Sequence, residues 1–423
     1  MTSLRRQMGR LVPGPSAADN AAMAHRSEWK AELTSGWSLL LTATIACGTG
    51  VSSLIYYSFG LFVTPLQQAF HWSRGEVSTT LLYGSVGLVL AAPVLGWLID
   101  RLGARRVALV AVPCFVAVLL VLSRFDGSRA LFYGLFFALN VAGIGTSSIL
   151  YTRAVAGSFH AARGMALGIT LAGPGTAAIV LPLLMQSVIA DYGWRIGFVT
   201  LAMLALVPWP LVYFWLKPRG GQAHLDTGAE VPGMGRREAL STRVFWTLAI
   251  GFAATAVACS ALVVHMVPML RDAGLEQVHA ARIAALIGIG VIIGRIGIGA
   301  LVDRMFAPYV AAAIFLVTAG GCALLMNGGA SYAPQAAFLI GFALGAEVDL
   351  LAFLTSRYFG LRHYGFIYAT VYACFWLSSS LGPAIAGRLF DHYGDYQTTL
   401  AMVIGLMVFG ALASVSLPRY RPL

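Results

Sequence analysis

The chain has 423 residues, of which only 45 are charged: 28 lysines and arginines and 17 aspartates and glutamates. This is 11 % of the sequence, compared with roughly 25 % in soluble globular proteins, while 58 % of the residues are hydrophobic. One or two aqueous cores cannot bury so much apolar surface, so we expect lipid to surround most of the chain. The net charge of +11 does not indicate nucleic-acid binding, because the basic residues fall in short loops and not on one face. Soluble enzymes and nucleic-acid-binding proteins are therefore excluded.

The cysteines and the N-terminal segment indicate neither a metal site nor a signal peptide. The five cysteines lie singly inside apolar runs, without a CxxC or Cys/His spacing, so we expect free thiols, no metal site and no cofactor. The first 36 residues are polar and contain no apolar stretch typical of a signal peptide. We expect them to form a tail that is not removed by a signal peptidase.

Twelve apolar stretches of about 20 residues follow one another, each long enough to cross a bilayer as a helix. They cover approximately residues 37–64, 77–99, 105–123, 130–154, 164–189, 196–216, 245–268, 279–302, 307–327, 333–356, 363–387 and 398–417. The predicted fold is an all-α membrane protein with twelve transmembrane helices in two six-helix bundles. The predicted parts are a tail (1–36), a first bundle (37–216), a central loop (217–243), a second bundle (244–417) and a second tail (418–423).

Basic residues are distributed unequally between the two sides of the membrane. The side with both termini and the central loop carries 19 lysines and arginines, and the other side carries 7. Under the positive-inside rule, both termini and the central loop are cytoplasmic, and the protein is predicted to lie in the cytoplasmic (inner) membrane.

The two groups of six stretches show traces of an internal repeat. The segment GWLIDR at 96–101 returns as GALVDR at 299–304, an offset of 203 residues, and Pro65 and Pro268 have the same separation. Such weak internal symmetry is typical of duplicated transporters. It indicates a duplication of about 200 residues.

Twelve spans, a six-plus-six duplication and the sequence GWLIDRLGARR at 96–106 together resemble the major facilitator superfamily. Four further stretches resemble its branch of monocarboxylate transporters and oxalate/formate exchangers, at 57–78, 163–169, 294–304 and 345–360. The resemblance implies two helix bundles that rock about a central substrate site and open alternately to each side.

The repeated motif is predicted to have a mechanical role. Glycines allow close helix approach, while Asp and Arg at helix ends form charge contacts that lock one conformation. Simple anchoring of the arginines at the membrane surface is the alternative. The predicted gating residues are Gly96, Asp100, Arg101, Gly103, Arg105, Gly299, Asp303 and Arg304.

Arg295 lies near the middle of the eighth span. A charge at mid-bilayer costs at least ~2.5 to 3.5 kcal/mol, which makes an ionisable residue there a functional candidate. The guanidinium is a fixed fork of donors that matches a carboxylate. The resemblance implies that Arg295 binds an anion, as the matching arginine does in monocarboxylate and oxalate carriers, although Val291 replaces the aspartate that monocarboxylate carriers place one turn earlier. A structural ion pair with a carboxylate of the tenth span is the alternative.

Glu347 and Asp349 lie in the middle of the tenth span. They are two residues apart and point about 200° apart around a helix, so they cannot both face one cavity. We expect one of them to bind and release a coupling proton, with Glu347 preferred because it is nearer mid-depth. Both could instead be structural counter-charges.

Four further residues are candidates for substrate binding. His265, near the outer end of the seventh span, has an imidazole suited to handling protons or bonding an anion, or else it is a packing residue. Arg153 lies late in the fourth span, where its side chain either lines the path or extends to the membrane surface. Asn140 and Tyr151 share a polar stripe on that span.

These residues predict a secondary transporter, not an enzyme, that moves a monocarboxylate or short dicarboxylate by proton symport or anion exchange. The expected partners are the small organic anion, a proton or counter-anion, and the lipid bilayer, with no nucleic acid, and the expected state is a monomer. A proton-coupled exporter of amphipathic compounds is an alternative, suggested by the aromatic content and by Gly173-Pro174. A membrane sensor without transport is an alternative of another class.

Overall fold

The computed structural model describes residues 17–159, 162–216, 233–302, 305–360 and 362–420, and for 17–30, 100, 163–164, 299–300 and 365 it describes the backbone alone. In these ranges the chain is helical and contains no strand, apart from one isolated bridge between Gly233 and Gly360. Parts of the predicted tails (1–16 and 421–423) and of the central loop (217–232) lie outside the described residues.

The first half, taken as the described residues up to Leu216, contains eight α-helices in the part of the chain that the structure describes. They are α1 (Ala17–Gly48), α2 (Val51–Phe70), α3 (Arg74–Leu102), α4 (Ala104–Ser123), α5 (Arg129–Gly143), α6 (Ser148–Ala156), α7 (Arg163–Leu206) and α8 (Pro208–Trp215). A 3₁₀ turn at Ile144–Thr146 links α5 to α6. Within α7 the backbone breaks at Gly193, whose φ of 82° favours glycine, so this element holds two helical segments.

The second half runs from Gly233 to Tyr420 and contains seven α-helices within its described ranges. They are α9 (Arg236–Ser241), α10 (Arg243–Asp272), α11 (Gln277–Val302), α12 (Ala307–Gly328), α13 (Ala333–Phe359), α14 (Tyr364–Tyr393) and α15 (Gln397–Val415). A 3₁₀ turn at Gly329–Tyr332 joins α12 to α13.

Nine stretches among the described residues are long and apolar enough to cross a membrane. One of them, Ala307–Phe359, holds both α12 and α13, and another, Met165–Trp215, holds the two segments of α7 together with α8. Helix α14 is not among the nine. The count of twelve predicted spans is therefore not reproduced by this criterion, although the helices follow the predicted stretches in order.

The two halves meet along three pairs of helices: α2 with α10, α7 with α11, and α3 with α14. Other helices pack within their own half, with α7 against α1, α2 and α4, and α10 against α14 and α15. Trp37 contacts Trp215, and we call this end of the molecule the termini face. We call the other end, where Arg74 contacts Tyr396, the opposite face. The division into two separate bundles remains a prediction.

Candidate functional site

The site begins with the close packing of α11 against α13. Glycines lie on both helices at the contact, and a Cβ added at Gly294 would collide with the carbonyl of Phe342. A Cβ added at Gly345 would likewise collide with the carbonyl of Val291. Small residues allow the two backbones to approach closely. This approach places Arg295, the residue after Gly294, next to Asp349, which lies one helical turn after Gly345.

Arg295 and Asp349 form a loose ion pair. The distance from Arg295 Nη1 to Asp349 Oδ1 is 3.9 Å, and the two side chains are 19 % and 36 % exposed. This distance is too long for a hydrogen bond. Nε and Nη1 of Arg295 are buried, and neither has a hydrogen-bond partner within the described residues. A buried donor without a partner is costly, so Nε and Nη1 are available to donate hydrogen bonds to the oxygen atoms of a ligand.

Side chains of both halves lie within the electrostatic range of Arg295, whose helix α11 packs against α7 of the first half. Its charge acts on Cys47 of α1 and Tyr57 of α2 in the first half, and on Tyr368 and Tyr372 of α14 in the second half. The rings of Tyr368 and Tyr372 stack with their centroids 5.5 Å apart. Arg295 therefore lies at the boundary between the halves.

A central cavity also lies between the halves. Its lining includes Ser52, Ser85 and the predicted Asn140 from the first half, and Trp376 and Ser379 from the second. Asn140 is half-buried, and its Nδ2 donates to the carbonyl of Phe136 at 3.0 Å. Arg295 does not line this cavity, so the cavity and the arginine are separate features of one boundary.

Glu347 faces a different neighbour from Asp349. It is fully buried, and the Cys259 thiol of α10 donates to its Oε1 at 3.6 Å. Its Oε2 has no partner among the described residues. Glu347 thus contacts α10, whereas Asp349 meets Arg295 on α11.

His265 is fully buried near the opposite face. Its Nε2 lies 3.0 Å from the carbonyl of Pro383 and 3.1 Å from the Ser78 hydroxyl, and its Nδ1 lies 2.9 Å from the Tyr396 hydroxyl. Since a carbonyl only accepts, we assign the ring proton to Nε2, which leaves Nδ1 to accept from Tyr396. The structure does not bring His265 together with Arg295.

Sequence reasoning missed Arg74, which joins the halves at the opposite face. Its guanidinium forms a bidentate ion pair with Asp272 and donates to the Tyr396 hydroxyl at 2.8 Å. The backbone N–H groups of Arg74 and Gly75 donate to Asp391 at 2.9 and 2.7 Å. The one sequence signal for this contact is that Arg74 is basic on the side with few basic residues.

Tyr151 and Arg153 both lie on α6, but one is buried and the other is exposed. Tyr151 is fully buried, and its hydroxyl has no partner in the described part of the chain. Arg153 is exposed and lines a pocket at the termini face together with Arg101 and Arg105. Neither residue lines the central cavity.

The motif residues lie at the end of α3. Gly103 has a φ of 79° and caps the helix, while Arg101 lies 4.6 Å above the ring of Trp97. An added Cβ at Gly96 would meet open space, so the structure shows no close helix approach there. For Asp100 and Gly299 only the helical backbone is described. Asp303 and Arg304 of the repeated motif lie outside the described residues, and the gating role of the motif remains a prediction.

Residues 45–383 match the model of the Major Facilitator Superfamily. The chain is 25 % identical to monocarboxylate transporter 11 of Mus musculus over 416 residues, which cover 92 % of this chain and 89 % of that protein. It is 26 % identical to monocarboxylate transporter 12-B of Danio rerio over 426 residues, which cover 91 % and 88 % of the two chains.

Solved structures of two transporters have the same fold. A D-xylose-proton symporter aligns with a TM-score of 0.67 and 14 % identity, over 92 % of this chain and 98 % of the symporter. A bacterial homolog of the human lysosomal transporter Spinster aligns with a TM-score of 0.63 and 15 % identity, over 91 % and 95 % of the two chains. The predicted all-α fold of the major facilitator type is confirmed.

Proposed function

The chain belongs to the major facilitator superfamily, and on that premise we propose that it carries a small monocarboxylate or short dicarboxylate across the cytoplasmic membrane by alternating access. It is a multi-pass membrane transporter and not an enzyme, as its relatives and its fold show. The observation that carries the anion proposal is Arg295, whose buried Nε and Nη1 have no hydrogen-bond partner among the described residues.

A carboxylate suits this guanidinium better than other small ligands do. It can accept two parallel hydrogen bonds from the arginine fork, and it compensates a positive charge that is expensive inside a membrane. The names of the two matched relatives, both monocarboxylate transporters, agree with this chemistry. Because Arg295 lies on α11, which packs against α7 of the first half, a ligand there would be held between the two moving parts of a single chain, and we infer a monomer as the working unit.

Asp349 supports a coupling mechanism. The incoming carboxylate would compete with Asp349 for the Arg295 guanidinium, whose Nη1 lies 3.9 Å from Asp349 Oδ1. If Asp349 takes up a proton when the anion binds, the net charge of the site stays constant, which limits the cost of crossing the membrane. We therefore propose proton symport with Asp349 as the first candidate for coupling and Glu347 as the second, since Glu347 contacts Cys259 and not Arg295. Exchange for a counter-anion at Arg295 is the alternative.

The Arg74 contacts support one particular state of the cycle. They join the two halves at the opposite face through Asp272, Asp391 and Tyr396. With both termini on the cytoplasmic side, as the distribution of basic residues predicts, this is a state closed to the outside. Release of these contacts would then open the site outward.

Uptake into proteoliposomes tests the proposal. Purified protein is reconstituted, a pH gradient is imposed, and the accumulation of labelled small carboxylates is measured. We expect gradient-driven uptake of at least one carboxylate by the unmodified protein and by Arg271→Gln, a matched control at an exposed position. Arg295→Gln should abolish this uptake, because glutamine has no charge to offset that of the anion. Undiminished uptake by Arg295→Gln would refute the assigned anchor.

Export of amphipathic compounds is the second candidate function, favoured by aromatic rings on α14. Tyr364, Tyr368 and Tyr372 stack in a row, with successive centroids 5.4 and 5.5 Å apart. Such a surface could hold an apolar ligand. Increased tolerance of cells to hydrophobic toxins, without carboxylate uptake in proteoliposomes, would favour export. Ligand binding with no flux of any kind would favour a sensor.

A further inference from the structure

The central cavity between the halves is small and is lined by neutral polar groups. Its volume is about 50 Å³, which holds roughly three to five water-sized groups. Hydroxyl and amide side chains from four helices line it: Ser52 of α2, Ser85 of α3, Asn140 of α5, and Ser379 and Ser380 of α14. The described lining residues include no charged side chain. The cavity therefore suits the hydroxyl groups at one end of a ligand, and not the charge of that ligand.

Two of these polar groups keep hydrogen-bonding capacity for a ligand. Nδ2 of Asn140 donates to the Phe136 carbonyl at 3.0 Å, which uses one of its two N–H groups and leaves the amide oxygen to accept. The Ser380 hydroxyl donates to the Leu377 carbonyl at 2.6 Å, so its oxygen can still accept. A hydroxyl group both donates and accepts, and it can therefore bond to either side chain.

Helices α2 and α14 extend from the cavity to the surroundings of Arg295. Tyr372 of α14 lies within the electrostatic range of Arg295, and its ring centroid is 6.1 Å from that of Trp376, which lines the cavity. On α2, Tyr57 lies within the same range, and its ring centroid is 5.3 Å from that of Tyr56, another lining residue. Each half thus connects the arginine to the cavity.

This spacing sets the length of a ligand that reaches both places. At about 1.5 Å per residue, α14 rises about 6 Å from Tyr372 to Trp376 and about 12 Å from Tyr372 to Ser380. An extended chain advances roughly 1.2 Å per atom, since a residue of three backbone atoms spans at most about 3.6 Å. A ligand that joins the arginine to the near wall of the cavity therefore needs about five or six carbons.

We propose that the transported anion is a hydroxylated carboxylic acid of about five or six carbons, with its carboxylate on Arg295 and its hydroxyl groups in the central cavity. This substrate class rests on the carboxylate role proposed above for Arg295. Hydrogen bonds to the hydroxyl groups give selectivity, because an analogue without them leaves the buried polar groups of the cavity unpaired. An aliphatic acid of the same length would bind the arginine alone.

Ligand-induced thermal stabilisation of the purified full chain tests the proposal with a matched pair of acids. Hexanoate and 6-hydroxyhexanoate have the same charge and chain length and differ by one hydroxyl group, while gluconate carries a hydroxyl on each carbon beyond its carboxylate. The apparent Kd of each acid is measured for the unmodified protein, Asn140→Leu, Ser379→Ala and Arg295→Gln. The matched control is Asn327→Leu, because the Asn327 amide makes the same bond to the carbonyl four residues earlier but does not line the cavity.

We expect the unmodified protein to bind 6-hydroxyhexanoate and gluconate at least fivefold more tightly than hexanoate, the factor given by ~1 kcal/mol for one net hydrogen bond. Asn140→Leu and Ser379→Ala should each reduce this preference several-fold without weakening hexanoate binding, and Asn327→Leu should keep it. Arg295→Gln should weaken the binding of all three acids. Two cavity variants are used so that the test does not depend on the folding of one of them.

The possible failures can be told apart. Equal affinity for hexanoate and the hydroxylated acids, with binding still dependent on Arg295, would overturn the hydroxylated substrate class alone. An unchanged preference in both cavity variants would overturn the cavity as the hydroxyl site. Affinity that does not change in Arg295→Gln, or binding of no acid at all, would overturn the proposed function and this substrate class with it.

Discussion

Arg295 and Asp349 face each other from α11 and α13 with 3.9 Å between Nη1 and Oδ1. A strong ion pair would place these atoms at about 2.7–2.9 Å. The two residues are thus near enough to influence each other and too far apart to satisfy each other, which is the arrangement expected of an anion site that alternates between an internal carboxylate and a ligand.

Asp349→Asn is predicted to separate binding from coupling. Asparagine has nearly the same size but cannot take up the proton, and it no longer competes with the ligand for Arg295. We expect carboxylate binding to be retained or strengthened several-fold, while uptake driven by a pH gradient is lost. Counterflow exchange, measured in the same proteoliposomes without a gradient, should persist. Gradient-driven accumulation at the normal level would rule out Asp349 as the coupling group.

Glu347→Gln provides the matched comparison. Glu347 contacts Cys259 and not Arg295, so its neutral analogue should retain gradient-driven uptake within about twofold. The same uptake assay measures it. If Glu347→Gln loses coupling while Asp349→Asn keeps it, the order of the two candidates must be reversed.

Asp272→Asn is predicted to destabilise the closed opposite face. Hydrogen bonds to charged groups contribute about 1.5–3 kcal/mol, so loss of the Arg74 ion pair should raise the open fraction by roughly tenfold or more. A cysteine introduced at Ser379, which lines the central cavity, reports this opening through its rate of labelling by a thiol reagent applied from outside. The labelling is best done in a background without the native cysteines. An unchanged labelling rate would show that these contacts do not hold the face closed.

Tyr396→Phe is predicted to weaken the same contacts equally at every pH between 5 and 9. Burial raises the pKa of the Tyr396 hydroxyl in the turn before α15, so the hydroxyl keeps its proton throughout this range. Its contribution to stability is fully present below the pKa of an unfolded tyrosine, about 10, and is lost only as the pH rises above that value. The measurement is the thermal unfolding midpoint of both proteins against pH. A difference that changes between pH 5 and 9 would contradict this assignment.

Much of the fold could be predicted from the sequence, because lipid requires long apolar helices and these are visible in the hydropathy. The neighbours of individual side chains were harder to predict. The spacing of Glu347 and Asp349 indicates that they point apart, but not which of them meets Arg295. Contacts such as Arg74 with Asp272 and Tyr396 join residues 198 and 322 positions apart, and no local pattern encodes such pairs.

The proposed role of the Arg295 guanidinium is to bind the carboxylate of the transported anion. Its most direct test is ligand-induced thermal stabilisation of the purified chain, measured over a concentration series of small carboxylates for the unmodified protein, Arg295→Gln and the Arg271→Gln control. A ligand at a hundred times its Kd stabilises the folded state by about 2.7 kcal/mol. We predict stabilisation by at least one carboxylate in the unmodified protein and the control, with an apparent affinity at least tenfold weaker in Arg295→Gln. The same affinity in all three proteins, or stabilisation by no carboxylate at all, would show that Arg295 does not bind the transported anion.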